Sequence, residues 1–186
     1  MTDNIKIHDL EVEYKIIHRD IKYPRLELKT GDLFIIVPQN FENPEKLINK
    51  HEKWIYTKLS IIKRSMKDSK DKKLNKNRTE EELRYLVDFF ADEMSIALEV
   101  EIKNIRFRLM KTKWGSCSSR GNININKLLK YLPEDLIRYV VFHEMAHLIE
   151  QNHNKNFWII ISKKFPDYEM MEKELLDYWF LIQTEL

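Results

Sequence analysis

The chain has 186 residues, 43% of them apolar and 33% charged, with a formal net charge of +2. That places it in the soluble globular class, with enough chain for one ordinary domain or one plus a small appendage. Its longest apolar runs, such as residues 157–161, are far short of the roughly 20 residues that a membrane-spanning helix needs.

Other exclusions are sharper. One cysteine, Cys117, allows no internal disulfide and no cysteine-cluster zinc site. The glycines Gly31, Gly115 and Gly121 fit neither the P-loop spacing nor the dinucleotide fingerprint. The first 14 residues alternate charge with aliphatics and carry no signal-like apolar core, so a cytoplasmic protein with no membrane partner is expected.

In chain order, alternation of Val12, Tyr14 and Ile16 with Glu11, Glu13 and Lys15 predicts a strand. Leu26 and Leu28 predict a second. A turn at Lys29-Thr30-Gly31-Asp32 leads to a short buried strand over 33–37, ended by Pro38. A small antiparallel sheet over about 10–38 is the expectation.

Asn43-Pro44 then predicts a helix start, with Asn43 as N-cap. Leu47, Trp54, Ile55, Leu59 and Ile62 recur at helical spacing. Residues 63–78 follow, with eight basic side chains, Lys63 and Arg78 among them, against Asp68 and Asp71. A nucleic-acid contact is conceivable there, but no aromatic residue interleaves the charges, and a solvated linker or helix extension is favoured. Thr79 followed by Glu82 predicts a capping box, opening a helix to about Leu98.

The C-terminal part alternates again at Ile105, Phe107 and Leu109. A loop over 111–120 holds Trp114-Gly115-Ser116-Cys117, and Asn122-Ile123-Asn124-Ile125-Asn126 predicts another strand. Pro133-Glu134-Asp135 opens a helix expected to reach about Glu150. A shorter helix over 155–165 ends at Pro166-Asp167, and a last one runs towards the C-terminus. The expected division is 1–78, sheet plus helix and basic linker, and 79–186, the part that carries the chemistry.

His143-Glu144-Met145-Ala146-His147 demands a chemical explanation. Residues four apart share a helix face, so His143 and His147 can place two imidazole nitrogens on one metal ion. Glu144 lies about 100° round, within reach of a water on that ion, as general base. The helix is apolar nearly all round, from Leu136 to Ile149, and therefore buried. Two histidines and a glutamate there need partners, and one cation serves all three. This donor set favours a single Zn2+. His153 can be the third ligand if the helix stops near residues 150–152, and Gln151-Asn152 is a plausible stop. Glu172 or Glu169 on the later helix is the rival. His8, His18 and His51 read as surface or packing residues.

Lys113-Trp114-Gly115-Ser116-Cys117-Ser118, Gly121-Asn122-Ile123-Asn124-Ile125-Asn126, the segment from Tyr139 through His147, Asn152-His153 and Phe157-Trp158 together resemble the YgjP-like metallopeptidase-domain family, related to the SprT-like and WLM zincins. The resemblance implies an α+β fold, a zincin-like core in which the metal-binding helix packs on a small sheet. It implies His143, His147 and His153 as metal ligands and Glu144 as general base. The family usually has Leu where this chain has Met145, and the helix-ending glycine of some related zincins is replaced by Glu150 and Gln151.

Trp114, Ser116 and Asn126 are candidate substrate-binding residues, since the loop and the following strand can line a cleft to which an extended substrate adds as a strand. The competing reading makes Gly115 a turn and packs Trp114 under the helix. Cys117 reads as a structural thiol, and Phe157, Trp158 and Ile161 as a wedge against the core. Tyr168 and Asn126 are candidate oxyanion donors. Arg106, Arg108, Lys111 and Lys113 are candidates for holding a phosphate or carboxylate. The leading expectation is a zinc metallohydrolase acting on a peptide or amide carbonyl. The alternatives are a nucleotide or phosphate-ester hydrolase on the same site, and a non-catalytic zinc-stabilised binding module.

Overall fold

The computed structural model describes residues 3–29 and 31–186. The turn expected at Thr30 lies outside the described residues. The chain divides into two compact units, Met1–Lys70 and Asp71–Leu186, each with its own apolar core. The basic stretch 63–78 straddles that division. Among the described residues, no helix is long and apolar enough to cross a membrane.

The first unit is a four-stranded sheet in the order β1-β2-β4-β3, with β1 Asp3–Ile7, β2 Leu10–Arg19, β3 Arg25–Lys29 and β4 Asp32–Pro38. Pairings β1–β2 and β3–β4 are antiparallel, as alternation predicts, whereas β2–β4 is parallel. β4 is a central strand and is buried almost continuously, at Leu33, Ile35, Ile36 and Val37. Helices α1 (Lys46–Lys50) and α2 (Glu52–Asp68) contribute Ile48, Ile55 and Leu59 to the same core. The helix starts later than Asn43 suggests. Asn43 sits at φ 52° in a turn, and its carbonyl accepts from Lys46 N–H at 3.1 Å. Trp54, expected on the buried stripe, is 41% exposed.

The second unit opens with α3 (Glu80–Leu98). Its capping box is complete: the Thr79 hydroxyl accepts from Glu82 N–H at 3.1 Å, and the Glu82 carboxylate accepts from Thr79 N–H at 2.7 Å. A three-stranded sheet follows in the order β5-β7-β6, with β5 Asn104–Arg108, β6 Gly115–Cys117 and β7 Asn122–Asn126. β5 runs parallel to β7, and β6 antiparallel to it. Gly121, at φ 76°, makes the tight turn between β6 and β7. Helices α4 (Glu134–Ala146), α5 (Lys155–Lys164) and α6 (Tyr168–Glu185) complete the unit. Its core joins Leu83, Val87 and Met94 of α3 to Ile123 and Ile125 of β7, Ile137, Tyr139 and Val141 of α4, and Phe157 and Ile161 of α5. The fold is α+β, with the metal-motif helix packed against the edge strand β6 of a small sheet.

Removing the α3 cap by Thr79→Ala exposes an unsatisfied helix N-terminus. It should lower unfolding free energy by about 1 kcal/mol in urea titrations; an unchanged midpoint would mean that the cap contributes nothing.

Candidate active site

The site is built where α4 ends. His143 lies in the last turn of the helix, and His147 follows immediately, past Ala146. The chain then tightens: Leu148 N–H donates to Met145 O at 2.9 Å, and Glu150 N–H to Ala146 O at 2.9 Å. The Gln151 side-chain amide donates to the His147 carbonyl. Asn154 caps α5, its Oδ1 accepting from Asn156 N–H at 2.9 Å and Phe157 N–H at 3.2 Å. Between these two anchors the chain doubles back, and His153 Nε2 comes within 2.9 Å of His143 Nε2. One ligand atom from each of His143, His147 and His153 lies within 4.8 Å of the others.

This donor set fits zinc. Bonds of about 2.0–2.1 Å in a tetrahedral centre put its ligand atoms roughly 3.3 Å apart, and three imidazoles leave one position open. The rings are also oriented. His147 Nδ1 faces the Glu150 carbonyl at 3.0 Å, and His143 Nδ1 faces Glu172 Oε1 at 3.3 Å, so Nε2 of each is left for the ion. Aromatic side chains of α5 hold the rings. Phe157 stacks on His147 at 4.5 Å between centroids, and Trp158 stacks on His153 at 5.8 Å. Burial holds His147 and His153 below the usual histidine pKa, which keeps them neutral, the form that ligates.

Glu144 is 6% exposed, and burial pushes its carboxyl up to about 7 against the pull of His143 and Lys113. Its position is set by Gly115. A Cβ added at Gly115 would stand 2.5–2.7 Å from Glu144 Oε1, Cγ and Cδ, so only glycine lets β6 lie against this carboxylate. The cleft encloses about 460 Å³, and its lining includes Trp114, Gly115, Ser116 and Cys117 of the β6 strip, His143, Glu144 and His147, and Glu172 of α6. β6 is the edge of its sheet. The bonds Asn126 N–H to Trp114 O (2.8 Å) and Ser118 N–H to Asn122 O (3.0 Å) fix which residues face β7. By alternation, Gly115 and Cys117 turn their N–H and C=O groups away from β7, off the free edge.

The family model of the YgjP-like metallopeptidase domain matches residues 61–178, more than half of the chain. The chain belongs to that family. A similar curated protein, the UTP pyrophosphatase of Escherichia coli (strain K12), is 31% identical over 62 residues, which are 33% of this chain. The match spans only 37% of that relative's length. Two metallopeptidase zymogen crystal structures share part of the architecture. Pyrococcus abyssi abylysin is 24% identical, with a TM-score of 0.45, over 48% of this chain and 91% of its own. Methanocaldococcus jannaschii jannalysin is 28% identical, with a TM-score of 0.43, over 54% of this chain and 97% of its own.

In this YgjP-like chain the other candidate residues fall as follows. Trp114 and Ser116 line the cleft, and Trp114 also packs edge-on against Trp179 of α6 at 4.9 Å. Asn126 does not reach it. It is fully buried, and its side chain donates to Met110 O and Lys113 O and accepts from Met110 N–H and Leu128 N–H, so it fixes the loop instead of touching substrate. Tyr168 stacks on Trp158 at 4.9 Å, outside the residues that line the cleft. Gly115 is a close approach, not a turn. Burial pushes the Cys117 thiol up to about 11, with the charge of Glu144 adding to it, and its sulfur is outside the histidine group.

Glu172 stands beside His143 but outside the ligand group, and Glu169 is exposed; the helix stop brings His153 in instead. Of the four basic residues before the loop, Lys113 alone lines the cleft. Phe157 and Ile161 are core, as expected, but the backing of the histidines by Phe157 and Trp158 is not visible in the sequence.

Gly115→Ala should displace Glu144 and overpack the helix–strand contact, lowering stability by about 1–3 kcal/mol in thermal unfolding. Wild-type stability would show that the loop yields freely. Substituting His153 by Ala should weaken zinc binding, measured by competition with a chromophoric chelator, whereas Glu169→Ala should not. The reverse order would make a carboxylate the third ligand.

Proposed function

We propose that this protein is a zinc-dependent hydrolase of the metallopeptidase type, with His143, His147 and His153 as ligands, Glu144 as general base, and a peptide or amide chain as substrate. When bound, zinc acidifies a water molecule and polarises the scissile carbonyl. Glu144 takes the proton of the attacking water and returns it to the leaving amine. Its elevated pKa, near the working pH, suits both transfers. The Glu172 carboxylate and the Glu150 carbonyl hold two of the ligand rings, and Phe157 and Trp158 exclude water behind them.

The observation that carries the peptide reading is the free edge of β6. Its outward-facing residues Gly115, buried against Glu144, and Cys117, partly exposed, line the same cleft, and the Cys117 backbone is where an extended chain can begin to pair. Ser116, Trp114 and Lys113 supply side-chain contacts along that strip.

A second reading, hydrolysis of a nucleotide phosphoanhydride, is favoured by the name of the similar UTP pyrophosphatase and by Lys113 at the cleft. A panel of peptides and nucleoside triphosphates, offered to the zinc-loaded protein, separates the two. Peptide cleavage is expected, and release of pyrophosphate or phosphate alone would establish the second. Glu144→Gln should bind zinc normally and lose turnover by about 10²–10⁴-fold. Full activity in that variant would remove Glu144 from the chemistry.

A further inference from the structure

We infer that Glu172 is a positioning residue for the metal centre, an outer carboxylate that fixes which nitrogen of His143 faces the ion. The inference rests on His143 being a ligand. Glu172 Oε1 is 3.3 Å from His143 Nδ1, while His143 Nε2 points to His153 Nε2 at 2.9 Å. The carboxylate and the third histidine therefore occupy different nitrogens of one ring. A carboxylate accepts only, so a neutral His143 that donates to it carries its proton on Nδ1 and keeps the Nε2 lone pair free.

Glu172 is itself held. The Tyr139 hydroxyl donates to the same Oε1 at 2.5 Å, and Tyr139 is fully buried in the core of the unit. Glu172 of α6 thus bridges two side chains of α4, the Tyr139 hydroxyl and the His143 ring. A negative charge on this chain also makes the imidazole a stronger donor to a cation. His147 Nδ1 faces the Glu150 carbonyl at 3.0 Å instead of a carboxylate oxygen. The two histidines of the motif are therefore held by different kinds of acceptor.

The test is zinc affinity of the full chain by chelator competition, together with the visible spectrum of the Co2+-substituted protein. Wild type, His143→Ala, Glu172→Gln, Glu172→Ala and Tyr139→Phe are compared, with apoprotein unfolding as the check on folding. Glu172→Ala should weaken zinc binding about 10–100-fold with the intensity of the Co2+ bands retained, because all three ligands remain. Glu172→Gln, which keeps an acceptor at the same reach, should recover part of that loss. It also stands in if the alanine variant fails to fold. Tyr139→Phe should weaken binding less than Glu172→Ala.

Wild-type affinity in both Glu172 variants would overturn the inference. So would a fall in Co2+ band intensity equal to that of a histidine variant, which would make Glu172 a direct ligand. Wild-type affinity in His143→Ala would instead overturn the ligand assignment on which the inference stands.

Discussion

One constraint organises this site: a buried carboxylate and three imidazoles are gathered where an apolar helix runs out, close enough together to share one cation. Glu144 and the α4 histidines sit among Val140, Val141, Phe142, Met145 and Ala146, all buried. A polar group moved into such surroundings without a partner is destabilising by several kcal/mol. The neighbours supply partners to the outer edges, the Glu150 carbonyl and Glu172, but the inner edges of the rings face one another. A divalent ion resolves that opposition. The family to which the chain belongs carries a metallopeptidase domain, and the geometry explains what such a domain requires of this helix.

The rest of the second unit holds that arrangement still. Asn126 makes three of its four side-chain hydrogen bonds to the loop before β6 and the fourth to Leu128 N–H, and so fixes the loop that carries Lys113 and Trp114. Gly115 lets the strand lie directly on Glu144. Phe157 links the histidines to the core that α3, α4 and α5 share. Glu144 and His143 are carried by α4 itself, and the segment that carries His147 and His153 is pinned at both ends, by the Glu150 N–H to Ala146 O bond and by the Asn154 cap.

Much of this was legible in the sequence, and the reasons are local. His143 and His147 follow from helical periodicity. The Thr79 cap and the β7 alternation are signals within a few residues. His153 was expected from a helix stop near residues 150–152; α4 in fact ends earlier, at Ala146, and a turn over 147–150 leads the chain back to His153. What stayed hidden depends on long-range contacts. The parallel pairing of β2 with β4 is set by the layout of the whole sheet. β1 was missed because its two-residue turn, His8-Asp9, carries no glycine, and His8 adopts φ 54° without one. Gly115 looked like a turn because the contact that requires glycine lies 29 residues away, at Glu144. Asn126 and Glu172 were visible as polar residues of the right type, but only the fold shows that one buttresses a loop and the other faces Nδ1 of His143.

X-ray absorption at the zinc edge of the reconstituted protein tests the central claim most directly. One ion per chain is expected, with three imidazole nitrogens at about 2.0–2.1 Å and one oxygen neighbour. A sulfur shell near 2.3 Å, which would bring in Cys117, or a fit with fewer than three imidazoles, would contradict it.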